Sequence, residues 1–269
     1  MTSIGFIGGG RMAEAIIQGL LSSNLVSGSE IFVYDIKANL REYLSKKYFI
    51  SVEAENQKVA SLSEVLILAV KPQNVSEAIK GLEIPKEKLL ISIAAGIRLG
   101  YLEKAFPSVP IVRVMPNNPA LVGAGITAMT LGKSAKEPHR HLAEKIFKSV
   151  GEVIMIEEKN MDAVTGLSGS GPAFVYLAIE AMTDAGKKLG LDQKAAQKLA
   201  LETVLGAART MKETGKSAKE LREMVTSPGG TTIEGLKVLE KRKFAAALRE
   251  AVIAAARKSK TLSRNLSRS

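Results

Sequence analysis

The segment Gly8-Gly9-Gly10-Arg11-Met12-Ala13 constrains the fold most, because it sets G-x-G-x-x-A between an apolar run over residues 3–8 and a helical pattern through Ala15, Ile16, Gly19 and Leu20. Each position has a physical role. Gly8 makes the tight turn, Gly10 lets a pyrophosphate approach the backbone, and Ala13 allows close packing of helix on strand. A second strand-like run, Glu30–Tyr34, ends at Asp35, about where a dinucleotide-binding fold places its ribose-reading acid. A carboxylate there accepts hydrogen bonds from the 2′- and 3′-hydroxyls of NAD and repels the 2′-phosphate of NADP. Lys37 and Arg41 follow closely and could hold that phosphate, so the pattern leaves NAD(H) and NADP(H) both open.

Strand and helix patterns continue to alternate. Arg41–Lys47 suits a helix, Ser61–Glu64 a passage from helix to strand, and Val65–Val70 a strand buried on both faces, as in parallel sheets. That strand gives way to Lys71-Pro72-Gln73. Strands at Leu89–Ile93 and Ile111–Met115 end in Ala94-Ala95-Gly96 and Pro116-Asn117-Asn118-Pro119, so lysine, small and amide residues recur at one edge and suggest a lined pocket. Gly125–Thr130 and Glu152–Glu157 complete the strands, around a helix over Pro138–Ser149. The fold expected for residues 1–160 is therefore α/β, a Rossmann-type doubly wound sheet.

From Met161 onward the periodicity is helical and no strand is convincing, so residues 161–269 are expected to form an all-helical domain. Its helices are Pro172–Leu189, Gln193–Thr214, Ala218–Val225, Thr232–Glu240 and Phe244–Leu262. Asp192 caps the second, and Ser217 with Glu220 has capping-box spacing before the third. Thr231 with Glu234 has the same spacing before the fourth, behind the turn Ser227-Pro228-Gly229-Gly230, which leaves the Thr232 hydroxyl uncommitted and offers free backbone N–H groups to an anion. Several helices, notably Phe174–Ile179 and the alanine-rich stretch from Ala245 to Ala256, are apolar around much of their circumference, which favours a homodimer.

Composition narrows the chemistry. With 46% hydrophobic residues in 269 the chain can bury a sizeable core, and the absence of cysteine excludes disulfides, thiolate metal sites and a thiol nucleophile. His139 and His141 read as a solvated surface turn, and no metal site is expected. The net charge of +11 invites a nucleic-acid reading. Part of the surplus is nevertheless local, in Arg257, Lys258, Lys260, Arg264 and Arg268, and with no Trp and 4% aromatic residues base stacking is poorly provided for. A solvated basic tail is expected, without nucleic-acid binding. No signal-peptide pattern and no apolar run of spanning length appear, so a cytoplasmic protein without membrane contact is expected.

Over nearly its whole length the chain resembles pyrroline-5-carboxylate reductase. The resemblance rests on Gly5-Phe6-Ile7-Gly8-Gly9-Gly10-Arg11-Met12-Ala13, Ala69-Val70-Lys71-Pro72, Met115-Pro116-Asn117, Leu167-Ser168-Gly169-Ser170-Gly171-Pro172-Ala173 and Ser227-Pro228-Gly229-Gly230-Thr231-Thr232. The first motif is common to many dehydrogenases; the last two, in this order in the helical half, are specific. The family implies a dinucleotide-binding domain and a helical domain that dimerises through interlocking helices, sometimes with further assembly of dimers, and an active site between the cofactor domain and the helical dimer. It implies cofactor contacts at Gly8, Gly10, Arg11, Met12, Asp35, Asn56, Ala69, Val70, Lys71, Pro72, Ala94, Ala95 and Gly96. It implies substrate contacts at Val225, Ser227, Gly229, Gly230, Thr231 and Thr232. Its Gly-Gly-x-Thr pattern selects Thr232 as the hydroxyl facing the imine nitrogen. Family members generally favour NADPH and often lack an acid at the position of Asp35, and they commonly carry Asn-Thr-Pro where this chain has Asn117-Asn118-Pro119.

The implied reaction suits the residues present. Reducing 1-pyrroline-5-carboxylate to L-proline needs a hydride at carbon and a proton on nitrogen, and the iminium can arrive protonated from water, so no strong protein acid is required. Two alternatives differ in their needs. A two-domain dehydrogenase of the hydroxyacid type needs a lysine or acid on a central helix as proton relay, and no Lys occurs from Met161 to Ala185. A non-enzymatic nucleotide-sensing protein would need no Gly-Gly-x-Thr loop.

Overall fold

The computed structural model describes the backbone of residues 2–266 and the side chains as far as Ser263. The chain falls into two compact units, one of Met1–Ser170 with Ala254–Ser269 and one of Gly171–Ile253. This division differs from a cut near residue 160. The end of the last helix groups with the first unit because Ser259 and Ser263 donate to the Asp162 carboxylate at 2.6 and 3.4 Å.

The first unit is an eight-stranded sheet in the order β3-β2-β1-β4-β5-β6-β7-β8. Its strands are β1 (Ile4–Ile7), β2 (Ile31–Tyr34), β3 (Ser51–Val52), β4 (Val65–Leu68), β5 (Leu89–Ser92), β6 (Ile111–Met115), β7 (Gly125–Leu131) and β8 (Gly151–Met155). Strands β1 to β6 are parallel; β7 runs antiparallel to β6, and β8 is parallel to β7. Between them lie α1 (Arg11–Ser22), α2 (Ala38–Tyr48), α3 (Asn56–Leu62), α4 (Val75–Ile79), α5 (Leu99–Ala105) and α6 (Glu137–Lys148). Side chains alternate across a strand, so Ile4, Phe6, Val65, Ile67, Leu89 and Ile91 enter a core with Ile16 and Leu20 of α1 and Phe147 of α6. Their neighbours Ile7, Leu66, Leu68 and Leu90 enter a second core, with Val59 of α3 and Leu102 of α5. Both faces are covered, which is why these strands read as continuous apolar runs.

Three helices of this unit and one strand escaped the sequence reading. Asn56–Leu62 is helical well before the expected passage at Ser61, and Ser51–Val52, Val75–Ile79 and Leu99–Ala105 were not anticipated. The helices are five to seven residues long and the strand two, too short for a period to emerge from the apolar background. His139 and His141 do not form a turn. Both lie on α6, where Pro138 stands in the first turn and the His139 Nδ1 accepts from the Lys136 backbone N–H at 2.9 Å.

A short α7 (Met161–Val164) is followed by a π-helical turn over Thr165–Gly169, closed by the Ser170 N–H on the Thr165 carbonyl at 2.9 Å. The remaining helices are α8 (Gly171–Lys188), α9 (Gln193–Thr214), α10 (Ala218–Met224), α11 (Thr231–Lys241) and α12 (Phe244–Leu266). In the second unit α8 packs on α9, and the approach is close because a Cβ at Gly186 would lie 3.1 Å from that of Ala196. Asp192 caps α9 through the Ala195 N–H, and Ser217 and Glu220 form the expected capping box on α10.

The capping box expected at Thr231 is absent. Gly230 occupies the N-cap with no side-chain cap, Thr231 is the first helical residue, and Glu234 pairs forward with Lys237 at 2.6 Å. The turn supplies the reason: Gly229 sits at φ +71, and the Gly230 N–H donates to the Ser227 carbonyl at 3.1 Å, so the chain enters the helix one residue earlier than the capping pattern requires. A Cβ at Gly230 would meet the Ser227 Oγ at 2.6 Å and the Ser227 carbonyl oxygen at 3.2 Å, so a larger N-cap residue would require the serine side chain to turn aside.

Candidate active site

In register, Ile7 stands opposite Tyr34 and Leu68, and Leu68 opposite Ser92. The segments that follow β1, β2, β4 and β5 therefore emerge along one edge, and with them Gly8–Met12, Asp35, Ala69–Pro72 and Ala94–Gly96. Asn56 joins this edge at the start of α3, just after β3, where its amide donates to the Ala78 carbonyl at 2.7 Å. The structure thus brings every sequence-expected cofactor residue to the carboxyl ends of the parallel strands, where open α/β sheets bind ligands.

Local chemistry explains the first loop. Gly8 has φ +99, and a Cβ there would lie 2.8 Å from the Ala69 backbone, so a larger residue is excluded twice. Gly10 is extended, and nothing lies within 4 Å of a Cβ built on it, so its backbone is open to a ligand ahead of the uncapped N-terminus of α1. Gly9 was not singled out by the sequence reading, although its N–H donates to the Asp35 Oδ2 at 2.9 Å and a Cβ would strike Leu44 at 2.7 Å. The signal was available: the middle glycine of three has no role in G-x-G-x-x-A unless something approaches it.

Asp35 is held on both oxygens, since the Lys37 N–H donates to its Oδ1 at 2.9 Å. The Arg41 guanidinium donates to the Asp35 carbonyl, and Lys37 itself is exposed.

Behind the Ala94–Gly96 loop lies a second group of residues that sequence reasoning missed. The Glu158 carboxylate accepts from the Leu99 N–H of α5 at 2.6 Å and pairs at 3.2 Å with Arg113, which is 3% exposed. Burial depresses the Arg113 guanidinium, and the charge and hydrogen bond of Glu158 oppose that shift. One turn later Asp162 holds Ser259 and Ser263 of α12 and faces Arg98 at 3.8 Å. Ser263 packs on the loop, with its Oγ 3.3 Å from a Cβ built at Gly96, which has φ +78. A cavity of about 260 Å³ opens here, lined by Ala95, Gly96, Thr165, Ser170, Lys258 and Ser259 among others. The expected solvated tail is therefore two-faced. Arg257, Lys258 and Lys260 are exposed, whereas Ser259 and Ser263 are buried; the Arg264 side chain and Arg268 lie outside the described residues.

The substrate residues implied by resemblance, Val225, Ser227 and Gly229 to Thr232, lie together in the second unit on the turn joining α10 to α11. All are exposed or half-buried. Thr232 falls in the first turn of α11, and no protein partner of its hydroxyl is present among the described residues.

Residues 158–262 match the family model for pyrroline-5-carboxylate reductase dimerisation, and residues 3–96 match that for an NADP oxidoreductase, coenzyme F420-dependent. The chain is 48% identical to a pyrroline-5-carboxylate reductase of Synechocystis, over 96% of this chain and 97% of that protein. It is 43% identical to one of Arabidopsis thaliana, over 97% and 96%. Among solved structures, the pyrroline carboxylate reductase of Plasmodium falciparum with NADP bound is 34% identical and superposes with a TM-score of 0.90, over 97% of this chain and 98% of that one. A prephenate dehydrogenase from A. aeolicus, 16% identical with a TM-score of 0.56 over 91% and 98%, shares only the fold. Sequence and structure together place the chain in the pyrroline-5-carboxylate reductase family.

Proposed function

We propose that this chain reduces 1-pyrroline-5-carboxylate to L-proline, the last step of proline biosynthesis, with the residues singled out above in the following roles. The observation that carries the reading is the gathering of Gly8–Met12, Asp35, Asn56, Ala69–Pro72 and Ala94–Gly96 on one sheet edge, in a chain of this family. These residues fit a dinucleotide: glycines with exposed backbone, a helix N-terminus for the pyrophosphate, and an acceptor for ribose hydroxyls. Bound there as NADPH or NADH, the cofactor supplies the hydride that adds to C5 of the ring.

The chain's own part is positioning. As the C5–H bond forms, the C=N electron pair moves onto a nitrogen that already carries its proton, so the protein need only orient the ring and balance its charges. Thr232 hydrogen-bonds that nitrogen. The backbone N–H groups of Gly230 and Thr231, at the uncapped start of α11, receive the substrate carboxylate, with Val225, Ser227 and Gly229 shaping the turn. Gly230 as N-cap supports this role, since no side chain competes for those groups.

Residues 161–269 form the substrate and dimerisation domain of a homodimer or an assembly of dimers. The cytoplasm is the proposed compartment, with no nucleic-acid or membrane partner; among the described residues no helix is long and apolar enough to cross a membrane. The test is oxidation of NADPH and of NADH in the presence of pyrroline-5-carboxylate, followed by loss of the reduced-nicotinamide absorbance. Activity with at least one cofactor is expected, and none with either would overturn the assignment.

A further inference from the structure

We infer that Asp35 makes this chain selective for a free ribose 2′-hydroxyl, so that it uses NADH in preference to NADPH. This deepens the reading above and rests on it. The selectivity begins with lone pairs. An ionised carboxylate is acceptor-only, with about four acceptor positions over its two oxygens. In Asp35 one position on Oδ2 is taken by the Gly9 N–H at 2.9 Å and one on Oδ1 by the Lys37 N–H at 2.9 Å. What remains is one acceptor on each oxygen, which matches the two O–H donors of a vicinal ribose diol. A phosphate ester at the 2′-position has no such donor at neutral pH and brings close to two negative charges.

The same two amide bonds remove the easiest escape. A carboxylate free to rotate could swing aside for a phosphate, but this one is fastened at both oxygens to backbone, and the Gly9 end belongs to the loop that must itself stay in place for the pyrophosphate. The cations nearby do not reverse the balance. Arg41 directs a guanidinium N–H at the Asp35 carbonyl, so it stands beside the acid and is partly committed to its own backbone. Lys37 is exposed, with its charge in high dielectric where attraction is weak. The Asp35 carboxylate is half-buried and its repulsion is less screened.

The test compares wild type with Asp35→Asn and Asp35→Ser, using two readouts for each. Dissociation constants for NADH and NADPH come from fluorescence titration without substrate, and kcat/KM for each cofactor comes from turnover with pyrroline-5-carboxylate. Wild type is expected to favour NADH by about tenfold or more in both, the ratio that corresponds to about 1.4 kcal/mol. Asp35→Asn keeps an acceptor for the Gly9 N–H and removes the charge, and it should move the binding ratio toward NADPH by about tenfold. Asp35→Ser should move it further by opening space. A wild-type preference for NADPH, or a ratio unmoved by both substitutions, overturns the inference. The titration separates the two readings: inactivity with pyrroline-5-carboxylate would count against the proposed reaction, while the binding ratio would still decide the role of Asp35.

Discussion

Gly8 and Thr232 show two ways in which one residue can matter. At Gly8 the constraint is backbone: φ +99 and the Ala69 main chain leave no place for a Cβ. Gly8→Ala is expected to cost about 1–3 kcal/mol from strain alone, visible as a lowered Tm together with weakened dinucleotide binding. At Thr232 the constraint is chemical. The side chain is exposed in the first turn of α11, so Thr232→Ala should leave the Tm nearly unchanged while lowering kcat roughly 10²–10⁴-fold; undiminished turnover removes Thr232 from the mechanism. Gly8 was legible in the sequence because its role is local and fixed by spacing. The true N-cap at Gly230 was not, since Thr231 and Glu234 satisfy the capping pattern by spacing alone and only the turn geometry moves the helix start.

Between elements, charge and hydrogen bonding fasten helices to one another and to the sheet. Glu14 of α1 accepts from Tyr43, Lys47 and Tyr48 of α2 at 2.8, 2.9 and 3.0 Å. Burial raises its pKa, but these donors outweigh burial and hold it below the ordinary carboxylate value. A depressed folded pKa adds stability that is fully present above the unfolded value and is lost as pH falls through the folded one. Glu14→Gln should therefore cost about 1 kcal/mol near neutral pH, a difference that fades as pH falls below the ordinary carboxylate range, as denaturant melts at neutral and acid pH would show. The Arg113 pair is the stronger fastening. Glu158→Ala strands a buried guanidinium and frees the first N–H of α5, with an expected loss of about 3 kcal/mol, the lower end of the range for a broken buried pair because Glu158 is a third exposed. Every strand except the two-residue β3 was readable from apolar runs with small, polar or glycine residues at their ends, whereas their order across the sheet was not. Glu158, Asp162, Ser259 and Ser263 were not, because polar residues far apart in sequence carry no periodic signal until the fold brings them together.

At the scale of the whole molecule, the two units bury themselves to different degrees. The sheet unit encloses two cores, whereas the second unit buries only Thr183, Ala196 and Ala200 among its described residues and leaves Leu177 65%, Leu199 58% and Leu205 56% exposed. Apolar exposure on that scale marks an interaction surface, and with the dimerisation match over residues 158–262 it assigns these helices to a homo-oligomer. Leu177→Asp or Leu205→Asp should raise the dissociation constant of the homo-oligomer by about tenfold or more, read by light scattering across a dilution series; an unchanged assembly would place the contact elsewhere. The all-round apolar helices announced this surface in the sequence, since neither strand pairing nor a covering layer was available to bury them.

The clamp of Asp162 on α12 also carries a consequence for how the protein is made. Its two hydroxyl donors are separated from the acid by 97 and 101 residues, and they sit near the end of the chain. At about 5–20 residues per second of synthesis, the Gly96 loop waits on the order of ten seconds after Asp162 emerges before Ser263 can back it. Throughout that interval the apolar helices of the second unit emerge without a partner. The nascent chain therefore holds a nearly complete nucleotide-binding sheet and a growing adhesive surface at the same time, and a ribosome paused before residue 259 would prolong the state most open to misassociation.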